Sequence, residues 1–194
     1  DQSRKERKTK MKKPAKSDPK KRKGLIIVNT GDGKGKSTAS FGLALRAAGN
    51  KMNVFIMQFM KGPWKAGERK ALKELSEYVE YEAMGDGFTW DTENPEQDKK
   101  TARNAFDTAK EKLMSGKYQM VILDEINYVL DYKFFPLDEF LETLRNKPKD
   151  VHVVCTGRNA QEKLIEMADL VTEMKLIKHP YDEQGIPAQK GIEF

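Results

Sequence analysis

Residues 24–49 restrict the fold more than any other part of the chain. Gly24-Leu25-Ile26-Ile27-Val28 is a short run rich in β-branched side chains. Such a run predicts a strand buried on both faces. The stretch Thr30-Gly31-Asp32-Gly33-Lys34-Gly35-Lys36-Ser37-Thr38 follows at once. Residues 37–49 then place Phe41, Leu43, Ala44, Leu45, Ala47 and Ala48 as in a mostly buried helix, closed by Gly49-Asn50. Strand, glycine-rich loop and helix in that order are the setting of a phosphate-binding loop. Its glycines let successive backbone N–H groups converge on an anion. The helix start adds the positive end of its dipole. Gly31, Asp32, Gly33, Lys34, Gly35, Lys36, Ser37 and Thr38 are therefore the expected nucleotide contacts. Lys36 would bring a charge to the phosphates, and Ser37 a hydroxyl to Mg²⁺. The strict motif has glycine five residues before Gly35; here Thr30 stands there.

The rest of the chain alternates in the same manner. Residues 53–60, 78–83, 118–123, 151–155 and 170–177 read as strands. Residues 67–77, 95–114, 137–144 and 161–167 read as helices. Alternation of this kind predicts an α/β fold, a mostly parallel sheet with helices on both faces. With a phosphate loop after its first strand, the class expected is P-loop NTPase-like, of the RecA-like kind. Its site would lie along the C-terminal edge of the sheet.

Three further stretches reach that edge. Met120-Val121-Ile122-Leu123-Asp124-Glu125 ends a hydrophobic strand in two carboxylates, the expected partners of a phosphate loop through Mg²⁺. Which of Asp124 and Glu125 would touch the ion is open from the residues alone. Val153-Val154-Cys155-Thr156-Gly157-Arg158-Asn159 repeats the pattern. Arg158 there is either a planar clamp for phosphate or a structural arginine. Gly85-Asp86-Gly87-Phe88-Thr89-Trp90-Asp91 sets two aromatics in a glycine-flanked loop, to meet a flat ligand or to plug the core. Cys155 reads as a buried core thiol and His152 as a structural histidine. Gln58, Lys61 and the step Gly67-Glu68-Arg69 are lesser candidates. His179 opens a stretch read as a surface loop. Nothing in the spacing suggests a His/Cys metal cluster or a Ser-His-Asp arrangement.

Charge divides the chain in two. Residues 1–23 hold 12 of the 36 Lys/Arg and 3 of the 30 Asp/Glu, a net +9, which leaves residues 24–194 at −3. The basic segment has no Val, Ile, Leu or aromatic residue. It cannot bury enough apolar surface to offset its ordering entropy, so a disordered tail (1–23) before one folded domain (24–194) is expected. The tail could solubilise the chain, cover a ligand or partner subunit, or attach to an anionic surface. The mildly acidic body argues against nucleic acid as the main partner. No apolar run approaches the roughly 20 residues of a membrane helix. The single cysteine fits a reducing compartment, and no secretory pattern is visible, so a cytoplasmic protein is expected. The start on Asp1 rather than Met leads us to expect a trimmed or partial chain.

Taken together, several stretches resemble the ATP:corrinoid adenosyltransferases of the CobA/CobO/BtuR type. They are TGDGKGKST (30–38), QFMKGPWKAGER (58–69), GDGFTWDTEN (85–94), VILDEINYVLDY (121–132), TGRNA (156–160) and IKHPYDEQGIPAQKGIEF (177–194). The resemblance covers nearly the whole chain after the basic segment, and Thr30 is how this family's loop looks. It implies transfer of the 5′-deoxyadenosyl group of ATP to the Co(I) centre of a reduced corrinoid, with release of triphosphate. It also implies ATP lying on the loop in the sense opposite to kinases. By position, Gly31 to Thr38 would hold phosphate, with Lys34 and Lys36 neutralising the leaving group. Ser37 and Glu125 would bind Mg²⁺ with Asp124 in support, and Arg158 would contact phosphate. Phe88 and Trp90 would face the lower side of the corrin, where displacing the lower ligand eases reduction of cobalt. A homodimer and a flavodoxin-like reductase are further family expectations. Two other readings of the loop remain at this point: a RecA-like ATPase acting on nucleic acid, and a small-molecule kinase.

Overall fold

A computed structural model describes residues 23–60, 67–84 and 95–193. Residues 1–22 of the basic segment, Lys61, and the aromatics Phe88 and Trp90 lie outside the described residues. The elements run β1 (Ile26–Thr30), α1 (Lys36–Gly49), β2 (Val54–Gln58), α2 (Gly67–Glu74), β3 (Val79–Ala83), α3 (Pro95–Met114), β4 (Met120–Asp124), α4 (Ile126–Asp131), α5 (Leu137–Arg145), β5 (His152–Thr156), α6 (Glu162–Met167), β6 (Leu170–Glu173) and α7 (Pro180–Gln184). The strands form one sheet in the order β3-β2-β4-β5-β1-β6, and every pair is parallel. The α/β expectation holds.

Alternate residues along each central strand serve opposite faces, because successive side chains point to opposite sides. Ile26, Val28, Phe55, Met57, Val121, Leu123, Val153 and Cys155 join one core with Phe106 of α3, Val129 of α4, Phe140 of α5 and Leu164 of α6. Ile27, Val54, Ile56, Ile122 and Val154 join the other with Ala44, Ala47 and Ala48 of α1 and Leu72 of α2. The alanines keep α1 close to the sheet. Asn29 Nδ2 donates to Ser40 Oγ at 3.1 Å, and Ser40 Oγ donates to the Lys36 carbonyl at 3.0 Å. The helix start is thereby tied to β1 without leaving buried polar groups alone.

Three expectations need correction. The last strand was expected over 170–177, but β6 stops at Glu173 and its four residues are all exposed. Beyond Thr30 its partner β1 turns into the loop. Met174 N–H still donates to Thr30 O at 2.8 Å, and then no strand remains to pair with. Residues 126–131, given no element in the sequence reading, form α4. The stretch opened by His179 is the short helix α7. His179 Nδ1 accepts from Tyr181 N–H at 3.2 Å as its cap, and Pro180 takes the first turn. His152 is structural, as expected: its Nδ1 accepts from Leu25 N–H at 3.1 Å. Cys155 is fully buried, and burial pushes its thiol up to about 12.

Candidate active site

Strands β4, β5 and β1 are neighbours, so the loops that leave their C-terminal ends emerge side by side. The phosphate loop leaves β1, Glu125 leaves β4, and Gly157-Arg158 leave β5. Together they line a cavity of about 320 Å³ with Asp32, Gly33, Lys34, Gly35, Lys36, Ser37, Thr38, Glu125 and Arg158 among its walls. Most of the residues expected from sequence thus meet in one place. Glu68 and Tyr128 also line it, as do Ile192 and Glu193.

The loop itself is held tightly. Gly31 sits at φ 94°, and a Cβ there would come within 2.6 Å of the Met174 carbonyl oxygen. Only glycine allows both the left-handed turn and that approach. Gly33 N–H donates to Met174 O at 2.6 Å. Thr30, where the strict motif has glycine, accepts from Ala160 N–H through Oγ1 at 3.2 Å. The departure therefore ties the phosphate loop to the loop after β5.

Lys36 is expected to bring a charge to the phosphates. The structure buries it, and Nζ donates to Gly31 O at 2.8 Å and Gly33 O at 2.7 Å. The loop curls around its own lysine, with the Gly31 and Gly33 carbonyls turned toward it. Burial lowers the Lys36 pKa, and the nearby Glu125 carboxylate opposes that shift. The outward cations are Lys34 and Arg158, both half-exposed. Arg158 Nε lies 3.8 Å from Asp32 Oδ1.

The two carboxylates at the end of β4 sit in different surroundings. Asp124 is fully buried. It accepts from Gln58 Nε2 at 2.9 Å and from Thr156 Oγ1 at 2.8 Å, and Ser37 also hydrogen-bonds to it. Burial drives its pKa up against all three bonds. Glu125 takes a left-handed conformation at φ 62°, uncommon for a side-chain-bearing residue. Its N–H donates to Thr156 Oγ1 at 2.8 Å. Its Oε2 is buried and has no hydrogen-bond partner among the described residues. Burial, then the neighbouring Asp124 charge, push the Glu125 pKa up to about 7, while Lys36 and Arg158 pull it down. Gly157 makes room for this arrangement. At φ 125°, a Cβ on it would lie 2.9 Å from Asn127 Cβ and 3.2 Å from Glu125 Oε2.

Thr156, Tyr128 and Glu193 were missed as site residues from sequence. Thr156 had a usable signal: it ends β5 as Asp124 ends β4, one strand away. Gln58 was only a lesser candidate, yet it is directly bonded to Asp124, and its Oε1 accepts from Tyr81 OH at 2.6 Å.

The arrangement sets Lys34, Lys36 and Arg158 among the acidic residues Asp32, Glu68, Glu125 and Glu193, with one orphaned carboxylate oxygen on a cavity that also takes in Ser37 at the helix start. The model of the ATP:corrinoid adenosyltransferase family BtuR/CobO/CobP matches residues 22–194. The chain belongs to that family. A corrinoid adenosyltransferase of Sinorhizobium sp is 48% identical to it over 174 residues, which span 89% of this chain and 81% of the relative. The corrinoid adenosyltransferase of Escherichia coli K12 is 42% identical over 172 residues, 89% of this chain and 86% of the relative. Corrinoid adenosyltransferase CobA of Salmonella typhimurium LT2 is 41% identical over the same spans. The family fits a site whose described walls carry cations and carboxylates but no His or Cys.

Proposed function

We propose that this chain transfers the 5′-deoxyadenosyl group of ATP to the Co(I) centre of a reduced corrinoid and releases triphosphate. The carrying observation is the cradle of Lys34, Lys36, Arg158 and loop amides inside a member of this family. In the step proposed, a cobalt lone pair attacks the ribose C5′. A cobalt–carbon bond forms, the C5′–O bond breaks, and its electron pair leaves with triphosphate. No proton is removed from the nucleophile, so no general base is required. The protein's work is to orient ATP, exclude water and stabilise charge on the leaving group. Lys34 and Arg158 face the triphosphate. Lys36 acts from beneath, holding the loop shape while adding its charge.

Mg²⁺ fits the donor set. Magnesium is held by one or two carboxylates together with substrate phosphates and water. Glu125 Oε2 is buried with no partner among the described residues, and Ser37 lies on the same cavity. Glu125 and Ser37 would hold the ion, with Asp124 positioning Ser37 rather than binding it. When bound, the ion would supply further charge neutralisation at the phosphates. Phe88 and Trp90 remain the residues we assign to the lower face of the corrin, on the resemblance alone. A homodimer, a flavodoxin-like reductase and a cytoplasmic setting belong to the same proposal. Among the described residues no helix is long and apolar enough to cross a membrane.

The deciding experiment is anaerobic. The protein is mixed with Mg-ATP and chemically reduced cobalamin, the visible spectrum is followed, and the phosphate product is identified. The expected result is light-sensitive adenosylcobalamin with one triphosphate per cobalt–carbon bond. ADP or orthophosphate without that bond would overturn the proposal and favour a kinase or ATPase.

A further inference from the structure

The phosphate loop is paired with an anion of the chain itself. Glu193 Oε2 accepts from Lys34 Nζ at 2.7 Å across 159 residues of sequence. The two ends of this pair are not alike: the Glu193 side chain is 22% exposed and that of Lys34 53%. Glu193 is therefore turned into the cavity wall, while Lys34 reaches to it from the loop. A turn holds the carboxylate there: Ile192 and Glu193 N–H both donate to Gln189 O, at 3.2 and 2.9 Å. Ile192 and Glu193 line the same cavity as Ser37, Glu125 and Arg158.

Each other charged or donor group of this loop that the pairings involve is also engaged internally. Gly33 N–H is bonded to Met174 O, Lys36 to two loop carbonyls, and Asp32 faces Arg158. Two of these set a carboxylate oxygen against a cation that the triphosphate needs, Asp32 on Arg158 at 3.8 Å and Glu193 on Lys34 at 2.7 Å, and of the two only the Lys34–Glu193 contact is within hydrogen-bond distance. A carboxylate and a phosphate oxygen compete for the same lysine, because both accept charge-assisted hydrogen bonds of the same length. They also repel each other, so one displaces the other instead of sharing.

We propose that Glu193 is the internal counter-anion of the phosphate loop: a positioning residue that holds Lys34 until a triphosphate displaces it. This rests on the reading of the loop as a triphosphate site. Glu193 lowers the affinity of the loop for every polyphosphate, including the released triphosphate. It recaptures Lys34 as product departs, which limits product inhibition. Since the pair is partly exposed, its effect is modest, about three- to fivefold in affinity.

The probe is inorganic triphosphate, titrated calorimetrically at fixed Mg²⁺ into the full chain and into E193Q, K34M and the double variant. E193Q should bind about three- to fivefold tighter than the unaltered chain, and K34M more weakly. In the K34M background the added E193Q change should alter affinity less than about twofold, because the carboxylate no longer has a cation to hold. With ATP and pre-reduced cobalamin, E193Q should lower KM for ATP and show stronger inhibition by added triphosphate. Equal or weaker triphosphate binding by E193Q would overturn the counter-anion role. So would an undiminished gain in the K34M background, which would mean general repulsion and not competition for Lys34. An unaltered chain that binds neither triphosphate nor ATP would bring down the triphosphate-site reading, and this inference with it.

Discussion

Two lysines bond backbone carbonyls at opposite edges of the same sheet. Lys147, at the N-terminal edge, donates to Gly24 O at 2.9 Å and Val151 O at 2.8 Å, with Pro148 O at 3.4 Å. Lys36, at the C-terminal edge, donates to Gly31 O and Gly33 O. Burial lowers the pKa of both. The surroundings separate them. The carbonyls on Lys147 belong to the chain entering β1 and β5, and that edge is closed by pairs such as Lys23–Asp169, with Asp169 also accepting Ile26 N–H at 2.9 Å. The carbonyls on Lys36 belong to a loop between two elements, and a carboxylate oxygen nearby has no partner among the described residues. One edge has its polar groups matched to each other. The other carries strained backbone and an unmatched acceptor, where a ligand would complete the set. The difference is between a seam and a site, built from the same residue type.

The sharpest way to break that comparison is to remove each lysine. Lys36→Ala should lower kcat/KM for ATP by about 10²–10³-fold, as loss of a charge-stabilising group in a preorganised site does. Its effect on the melting temperature should be smaller than that of Lys147→Met. Lys147→Met should cost about 1–3 kcal/mol of stability, from backbone carbonyls left without a donor, and leave turnover unchanged. Steady-state kinetics and chemical denaturation on both variants measure this. A reversed pattern, with Lys147→Met inactive but stable, would end the distinction.

Gly157→Ala tests the strained edge from its floor. The added Cβ would stand 2.9 Å from Asn127 Cβ, at a φ that side-chain-bearing residues avoid. We expect about 1–3 kcal/mol of destabilisation. A loss of about tenfold in turnover should accompany it, because the nearest flexible group to yield is the Glu125 carboxylate. A stable variant with normal turnover would show that the spacing around Glu125 is not tightly set.

How much of this was legible from residues depends on the range of the signal. The sheet was legible because its four central strands, β1, β2, β4 and β5, are short apolar runs, and so was the loop, since its strand and helix are contiguous with it. Helix α4 was not. It follows β4 without a turn sequence, and the break is made by Glu125 at φ 62°, which periodicity cannot register. The end of β6 was overrun because Leu176 and Ile177 are apolar, yet pairing depends on where β1 ends. Asp124 and Glu125 were found together, but their division of labour needed Gln58 and Thr156 from neighbouring strands. The Lys34–Glu193 pair spans most of the chain and leaves no local trace. What escaped is what depends on juxtaposition in three dimensions.

The smallest effect should come from the seam's outer end, where Glu80 of the edge strand β3 accepts from Lys112, Lys117 and Tyr118. The Lys112 hydrogen bond first, then those of Lys117 and Tyr118, hold the Glu80 carboxyl down at about 2, against an ordinary 4.5. A carboxyl whose pKa is lower folded than unfolded stabilises the fold above the unfolded value. That stabilisation is lost as pH falls through the folded one. Glu80→Gln should therefore be less stable than the unaltered chain at pH 7, by about 1 kcal/mol once solvent screening of this partly exposed cluster is allowed for. The gap should close as pH falls from 4.5 toward about 2. Urea midpoints across that range, at low and high salt, measure it. Parallel acid limbs for the two proteins would mean that the cluster contributes through packing alone, and that charge pairing is not what closes this edge.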